Sequence, residues 1–341
     1  MPPPGGGFVV AIAGGPTFSC APDEPVLRAA LRAGLPFPYE CGTGSCGTCR
    51  FEIRDGAFDM AWREAPAWSE RDRQRNRMLG CQATPLGPAT IAVRLEPARK
   101  PPIAPVRRAA RLERWRVLTH DIWEFELHAG GVAEFLPGQY ALLALPNVPG
   151  WRAYSMANLA NSAGVWQFIV KRKQGGLAGR ALFEAPYVGM PVVLDAPYGH
   201  AFLAPGTAAP VLCIAGGSGL SPMVSILRAV LRRQDPSARM ATLFYGGRRP
   251  ADIVDLGRCF DPAPQAAIDY RVVLSNVEDI GPEIWPGARG MVHEAVERAG
   301  GAVLATAEIF VAGPPPMVEA SVAMLRRRGV PAERIHFDSF Y

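Results

Sequence analysis

The sequence predicts a chain of three modules: an α+β module with a cysteine-rich loop, an antiparallel β-barrel, and an α/β module on a parallel sheet. Three observations carry this. In "YECGTGSCGTCR", residues 39–50, Cys41, Cys46 and Cys49 fall among glycines and small hydroxyl residues. In "LEPARKPPIAPVRRAARLERWR", residues 95–116, proline and arginine replace any apolar period, the mark of a semi-rigid linker. After "LAPGTAAP", residues 203–210, short alternating runs give way to apolar strands alternating with helical patterns. The expected boundaries are a disordered N-terminus at 1–7, modules at 8–97, 107–205 and 206–341, and a linker at 98–106.

Composition narrows the function. A chain of 341 residues is too long for one compact core. With 49% hydrophobic and 20% charged residues and no apolar run of membrane-spanning length, a soluble protein without a membrane partner is expected. The start "MPPPGGGFVV" lacks the basic and apolar regions of a signal peptide, which points to the cytoplasm. Seven cysteines, an odd number, argue against a disulfide framework and for metal or catalytic chemistry. The net charge of +5 is small, and no dense Lys/Arg run with interleaved aromatics occurs, so no nucleic-acid partner is expected. No internal repeat is present, and a monomer is expected.

In the first module "FVVAIAGG" and "PTFSC" read as a hairpin. "DEPVLRAALRAG" reads as a helix with Asp23 as N-cap, Pro25 in its first turn and Gly34 as its stop. A fourth cysteine, Cys81, lies in "RMLGCQATP". Glycines at 42, 44 and 47 suit a loop whose N–H groups turn inward toward anionic sulfur. The order C-x4-C-x2-C with a distant fourth Cys has the spacing of plant-type [2Fe–2S] ligation. Zinc is the rival, but structural zinc sites usually use two separated pairs of ligands, whereas here three cluster and one stands alone. On these residues the module resembles a plant-type ferredoxin domain over its full length, which implies the β-grasp fold. Cys213, in the apolar strand "VLCIAGG", reads as a small buried hydrophobe; Cys20 and Cys259 receive no role.

The second module opens with alternating segments, "WEFELHAG" and "YALLALP", consistent with an antiparallel barrel. In "WRAYSMAN" an arginine and an aromatic two apart on a strand share a face, offering a guanidinium for phosphate and a ring for stacking; a plain surface pair would look the same. The succession "FLPGQY", "WRAYSMAN", "KRKQGGLAGRALFE", "APYGH" resembles the flavin domain of the ferredoxin–NADP reductase superfamily. The resemblance implies that Arg152 binds flavin phosphate, Tyr154 packs on the isoalloxazine and the Ser155 hydroxyl reaches flavin N5. Gly175, Gly176, Leu177, Ala178 and Gly179, after Val170 and Lys171, would place a glycine-rich turn at a helix N-terminus, where free N–H groups favour pyrophosphate. The family often has Ser or Thr where this chain has Gly179, so one side-chain bond to phosphate is missing.

In the third module "APVLCIAGGSGLSPMVSILRAVLRR" reads as strand, glycine turn and helix, with Ser221 as N-cap, Pro222 at the first position and apolar residues at 223, 224, 227, 230 and 231. The turn is a phosphate cradle or a tight turn needing glycine for packing, and it is not G-x-G-x-x-G. With "ATLFYGGRRPADI", "AEIFVAGPPPMVEASVAMLRRRG" and the end "RIHFDSFY", it resembles the nicotinamide domain of the same superfamily. The implied coenzyme contacts are Gly216, Gly217, Ser218, Gly219, Tyr245, Gly246, Arg248, Ser275, Asn276, Gly313, Pro314, Pro315 and Met317. Asp338, Phe340 and Tyr341 would lie by the flavin, with Ser155, Asp338 and Phe340 as the catalytic candidates. The family often has Cys where this chain has Ala312, so hydride transfer here uses no thiol at that place.

NAD(P)H gives two electrons as hydride and a [2Fe–2S] centre takes one at a time, so a flavin must stand between them. The order of the modules resembles reductase components of bacterial multicomponent oxygenases, which implies FAD, NADH, and as partner an oxygenase (hydroxylase) component or its small ferredoxin. The insertion "WREAPAWSERDRQRNRMLGCQ" is similar to that of reductases serving aromatic-ring monooxygenases and dioxygenases. Two alternatives stand beside this: the same electron transfer serving deoxysugar dehydration, and a redox sensor whose cluster reports rather than conducts. NADH is preferred over NADPH because the third strand of the domain ends in Ser275 and Asn276, followed by Glu278 and Asp279; Arg248 and Arg249 are the counter-evidence. No two of the histidines at 120, 128, 200, 293 and 336 stand at ligand spacing, and hydride transfer needs no general base from them.

Overall fold

The computed structural model describes residues 6–235, 240–260, 268–276 and 285–340. Glu278, Asp279, Tyr341 and the first five residues lie outside the described residues. Among the described residues, no helix is long and apolar enough to cross a membrane.

The cluster-loop part contains β1 (Phe8–Ile12), β2 (Thr17–Cys20), α1 (Val26–Arg32), β3 (Arg50–Asp55), β4 (Phe58–Met60), α2 (Glu70–Gln74), β5 (Arg77–Leu79), β6 (Ala83–Pro85) and β7 (Ala89–Ala92). Its main sheet runs β2-β1-β7-β3-β5, and β4 pairs with β6. β1 and β2 form the expected hairpin, β7 joins β1 in parallel, and β3 is antiparallel to both β7 and β5. α1 begins later than the sequence suggests. Pro25 is its N-cap, with no side-chain cap, and Asp23 instead pairs with Arg107 at 2.9 Å. Proline's fixed φ sets the helix entry where an Asp two residues earlier cannot reach the first N–H groups. Gly34 ends the helix as expected: its φ of +74° lets Leu35 N–H return to Ala30 O at 2.9 Å.

The linker is tied down at both ends. Glu96 N–H donates to Pro36 O at 2.9 Å, Arg99 Nη1 donates to Tyr39 O at 2.7 Å, and Arg32 Nη1 donates to Pro105 O at 3.1 Å.

The middle sheet has β8 (Val106–Val117), β9 (Ile122–Ala129), β10 (Tyr140–Ala144), β11 (Arg152–Ser155), β12 (Val165–Lys171) and β13 (Pro191–Tyr198), in the order β11-β10-β13-β8-β9-β12. On β9 the expected alternation appears. Phe125, Leu127 and Ala129 are buried, while Glu124 and Glu126 turn out to Arg116 and Arg114 at 2.9 and 2.7 Å. After β12, α3 (Leu177–Gly179) runs on into a π-helical stretch, Arg180–Glu184.

The last sheet holds β14 (Val211–Gly216), β15 (Ala241–Gly247), β16 (Ile268–Leu274), β17 (Ala288–Arg289), β18 (Glu308–Gly313) and β19 (Ile335–Ser339), all parallel, in the order β17-β16-β15-β14-β18-β19. The helices with it are α4 (Leu220–Leu231), α5 (Val292–Ala299), α6 (Ala302–Thr306) and α7 (Pro315–Arg327). Every residue of β14 is buried, as a central parallel strand covered on both faces requires. Cys213 packs there as a small hydrophobe, as expected, and burial pushes its thiol up.

Two compact units result, and they do not follow the three modules. One joins Met1–Arg108 with Leu142–Ala153 and Val193–His200; the other comprises Ala109–Ala141, Tyr154–Val192 and Ala201–Tyr341. Inside the first unit, the Tyr39 hydroxyl accepts from Gly199 N–H at 2.9 Å and the Tyr39 ring lies 4.6 Å from that of His200. His200 Nε2 is buried without a hydrogen-bond partner among the described residues. Burial, and then Arg99, push the His200 pKa down from 6.5 to about 4. Because the folded value lies below the unfolded one, the unfolded chain takes the proton first. Stability from this group is therefore full above about pH 6.5 and lost as pH falls toward 4. Between pH ~7.5 and ~5 the wild type should lose about 2 kcal/mol more than His200→Gln, read from urea midpoints. Equal losses in the two proteins would refute it.

Candidate redox site

The cluster loop closes on sulfur. Thr43 and Cys46 N–H groups both donate to Cys41 Sγ at 3.4 Å, and Gln82 Nε2 lies 3.8 Å from Cys81 Sγ. Gly42, Gly44 and Gly47 have φ of +65°, +95° and +78°, the left-handed turns that aim those amides inward. Gly80 N–H donates to Cys49 O at 2.8 Å, which brings Cys81 to the three-cysteine loop. The Cys41 thiol is held well below its ordinary range, chiefly by the hydrogen bond with Cys46, while the same pairing and burial push Cys46 up. Pairing with Cys49 and burial push Cys81 up. Thiol pairs Cys41–Cys46 and Cys49–Cys81, held together by the Gly80–Cys49 bond and with two backbone amides on Cys41, fit a [2Fe–2S] cluster, and Cys41, Cys46, Cys49 and Cys81 are the residues that would hold it. Cys20 and Cys259 stand apart, buried and pushed up to about 12 by desolvation.

At the flavin segment Arg152 Nη1 donates to Pro149 O and Trp151 O at 3.1 and 3.0 Å, so its guanidinium is folded onto the loop that precedes it. Tyr154 follows two residues on along β11, on the same face by strand alternation, and Ser155 is buried. The Gly175–Gly179 turn leaves a short helix: Gly175 has φ +71°, and Gly176 is the N-cap, with no side-chain cap. Val170 is buried, and Lys171 Nζ pairs with Asp121 at 2.6 Å.

The nicotinamide-type turns meet at the C-terminal ends of β14 and β18, where ligands of open parallel sheets bind. A Cβ on Gly216 would stand 2.6 Å from Met317 Sδ, and one on Gly219 would stand 2.5 Å from the Ala312 carbonyl carbon. Gly313 is confined less tightly: its Cβ would lie 3.0 Å from Gly216 O. Gly219 and Gly313 let two turns pack backbone to backbone, so the packing need is real there, while at Gly216 the neighbour is the Met317 side chain. Tyr245 is fully buried and its hydroxyl donates to Gly217 O at 3.0 Å, shaping the turn. Phe340 N–H donates to Gly313 O at 2.9 Å, and Asp338 pairs in register with Ala312, which brings the chain end to the same turn. Pro314 is the N-cap of α7 and Pro315 its first residue.

The loops after β15 and β16 also come together. Asn276 N–H donates to Arg248 O at 2.9 Å and Ser275 N–H to Gly247 O at 3.0 Å. Asp252 accepts the backbone N–H groups of Arg248 and Arg249 at 3.2 Å each and lies 3.5 Å from Arg248 Nε. Gly246 packs against Val292, 3.2 Å from a would-be Cβ. A cavity of 450 Å³, lined by Val211, Ala241, Asp269, Arg271 and Val303 among others, touches none of the expected contacts.

Ser221 is not an N-cap. A 3-10 turn at Gly217–Gly219 starts the helix early, Gly219 is the N-cap, and Pro222 is the third helical residue. Ser221 Oγ instead donates to Ser155 O at 2.6 Å and accepts from Ile169 N–H at 3.0 Å. One turn on, Ser225 Oγ donates to Asn158 O at 2.6 Å; Arg228 then donates to Ala157 O at 3.0 Å and to Cys259 O at 2.6 Å. This polar stripe, missed in the sequence, meets one β12 amide and the carbonyls of Ser155, Ala157 and Asn158, and so fixes the turn against the strand carrying Ser155. Its signal is there to read: polar residues at 221, 225 and 228 in a helix otherwise apolar.

Residues 11–86 match the family described as a 2Fe-2S iron-sulfur cluster binding domain, 109–202 an oxidoreductase FAD-binding domain, and 213–323 an oxidoreductase NAD-binding domain. The ferredoxin–NAD(P)+ reductase CarAd of Metapseudomonas resinovorans is 40% identical over 98% of this chain and 100% of its own length. The ferredoxin–NAD+ reductase component of the alkene monooxygenase system of Xanthobacter autotrophicus is 40% identical over 96% of this chain and 98% of its own. A solved structure of the ferredoxin reductase in carbazole 1,9a-dioxygenase superposes with a TM-score of 0.90 at 36% identity, covering 98% of this chain and 99% of that one. With the sulfur loop, the flavin strand and the paired glycine turns in the matching segments, the chain belongs to the family of iron–sulfur flavoprotein reductase components of oxygenase systems, oxidoreductases with [2Fe–2S], FAD and NAD-binding domains.

Proposed function

We propose that the chain, a monomer of the cytoplasm, takes hydride from NADH in preference to NADPH and delivers single electrons to an oxygenase component or its small ferredoxin. The names of two relatives support the partner class: one is a ferredoxin–NAD(P)+ reductase, and the other is the ferredoxin–NAD+ reductase component of an alkene monooxygenase system. The chemistry FAD and the cluster supply when bound is conversion of a two-electron donor into one-electron steps.

The chain's residues set the geometry. Arg152, whose guanidinium lies on the Pro149 and Trp151 carbonyls, would swing from them to hold the flavin phosphate, Tyr154 would pack on the ring, and Ser155 would offer its hydroxyl at N5. N–H groups of Gly175, Gly176, Leu177, Ala178 and Gly179 serve the pyrophosphate beside Val170 and Lys171. Gly216, Gly217, Ser218 and Gly219 with Gly313, Pro314, Pro315 and Met317 hold the coenzyme, and Phe340 and Asp338 border the reacting rings. Water and base catalysis have no part, so no histidine is required.

The observation that carries the NADH reading is Asp252 beside Arg248 at 3.5 Å. A carboxylate at that distance offsets one of the two cations that could meet a 2′-phosphate, while Ser275 and Asn276 can bond a ribose hydroxyl. Steady-state kinetics with cytochrome c as acceptor should give a kcat/KM for NADH at least ~10-fold above that for NADPH, about 1.4 kcal/mol. A value for NADPH equal to or above that for NADH would overturn the preference.

A further inference from the structure

Arg28 lies on α1 with 1% of its side chain exposed. Its guanidinium stands 3.9 Å over the Trp151 ring, and Nη1 meets Asp195 Oδ2 at 3.8 Å, a carboxylate with no exposure at all. Arg28 Nε has no hydrogen-bond partner among the described residues. Arg32, one turn on, reaches the same carboxylate at 3.4 Å and also pairs with Glu24. Burying a guanidinium with so few hydrogen bonds is expensive, and an apolar side chain of similar length would fill the space at less cost. The charge therefore needs a reason.

Its position supplies one. The neighbouring Leu27 N–H donates to Gly80 O at 2.9 Å, and Gly80 N–H donates to Cys49 O at 2.8 Å. The first turn of α1 is thus bonded to the backbone that joins two of the four sulfur ligands. On the other side Trp151 precedes Arg152 and accepts its Nη1 at 3.0 Å. We propose that Arg28 and Asp195 are a buried charge pair that sets the reduction potential of the cluster, with Arg28 as its positive, cluster-side half. Burial lowers the Arg28 pKa, with Tyr198 and Asp195 raising it, Arg107 opposing, and the Cys81 sulfur also felt.

Reduction adds one electron to the cluster; no bond forms or breaks, and Arg28 keeps its proton. A cation held where water cannot screen it favours the extra negative charge, and an anion disfavours it. Arg28 is in this sense a positioning residue for the electron, touching neither coenzyme nor acceptor. The inference rests on Cys41, Cys46, Cys49 and Cys81 holding the cluster, an assignment that wild-type absorbance and electron paramagnetic resonance check separately.

The test is a redox titration of the purified holoprotein, following the resonance of the reduced cluster in wild type, Arg28→Met, Arg28→Lys and Asp195→Asn. Arg28→Met should shift the one-electron equilibrium about tenfold toward the oxidised cluster, a fall of ~59 mV. Arg28→Lys should restore most of that shift, and Asp195→Asn should move the potential upward. A packing role alone would disturb both partners in the same sense. Shifts of one sign in Arg28→Met and Asp195→Asn, or no shift with the cluster intact, would overturn the proposal. If Arg28→Met does not fold, Asp195→Asn decides: a rise supports the proposal and any other result overturns it.

Discussion

Cys46→Ser should abolish NADH-driven reduction of cytochrome c, down to the rate without enzyme, while NADH reduction of ferricyanide should largely survive. Cys46 is bound into the loop twice: its N–H donates to Cys41 Sγ at 3.4 Å, and its thiol pairs with that of Cys41. A hydroxyl is a poor substitute for thiolate on iron, so the substitution removes a ligand and leaves the backbone donors aimed at a damaged centre. Ferricyanide accepts electrons from flavin directly and does not need the centre. The measurement is both rates on one preparation whose FAD content has been determined. Equal loss of the two activities with FAD retained would break the order of carriers.

Gly219→Ala is the second large effect. The added Cβ would stand 2.5 Å from the Ala312 carbonyl carbon and 2.9 Å from Gly313 N, and both are backbone atoms of a buried parallel strand. A side-chain neighbour could rotate away; a strand in register with β14 and β19 cannot. Overpacking of this kind costs about 3 kcal/mol or more. The strain also separates the two glycine turns, so KM for NADH should rise steeply in whatever protein folds, with FAD and cluster absorbance unchanged. Gly130→Ala is the control, because nothing lies within 4 Å of its Cβ position. Thermal unfolding and NADH kinetics on both variants check it, and a Gly219→Ala protein as stable as Gly130→Ala would contradict the packing account.

Much of this site can be read from the sequence because its parts are local. Three of the four cysteines share a loop, the Arg152–Ser155 motif sits in one strand, and each glycine turn follows an apolar strand; spacing carries the cysteine set, and the flavin and coenzyme roles are what the family resemblance implies. What fails is whatever depends on segments distant in the chain. Ser221 precedes a proline and looks like a cap, yet its hydroxyl serves Ser155 and Ile169, 66 and 52 residues away. Asp23 looks like a cap too, and its partner is Arg107, 84 residues on. Arg28, in "VLRAALRAG", has the look of the solvent face of a short amphipathic helix; its burial is set by Asp195 and Trp151, which no helical period encodes. The coupling of β10 to β13 residues with the cluster-loop part is similarly silent, since the linker's proline and arginine mark a boundary in composition where contacts continue.

That continuity limits how the chain can be recombined. A cut inside 98–106 would sever a fragment whose Tyr39 hydroxyl accepts from Gly199, whose Arg32 holds Pro105 O, and whose buried Arg28 answers to Asp195. The excised piece would carry a desolvated guanidinium newly without its counter-ion, which costs far more than a severed surface contact. The transplantable element is thus a set of three segments, residues 1–108, 142–153 and 193–200. Chimeras that exchange cluster-bearing halves between this chain and a relative should tolerate a junction only when all three segments travel together.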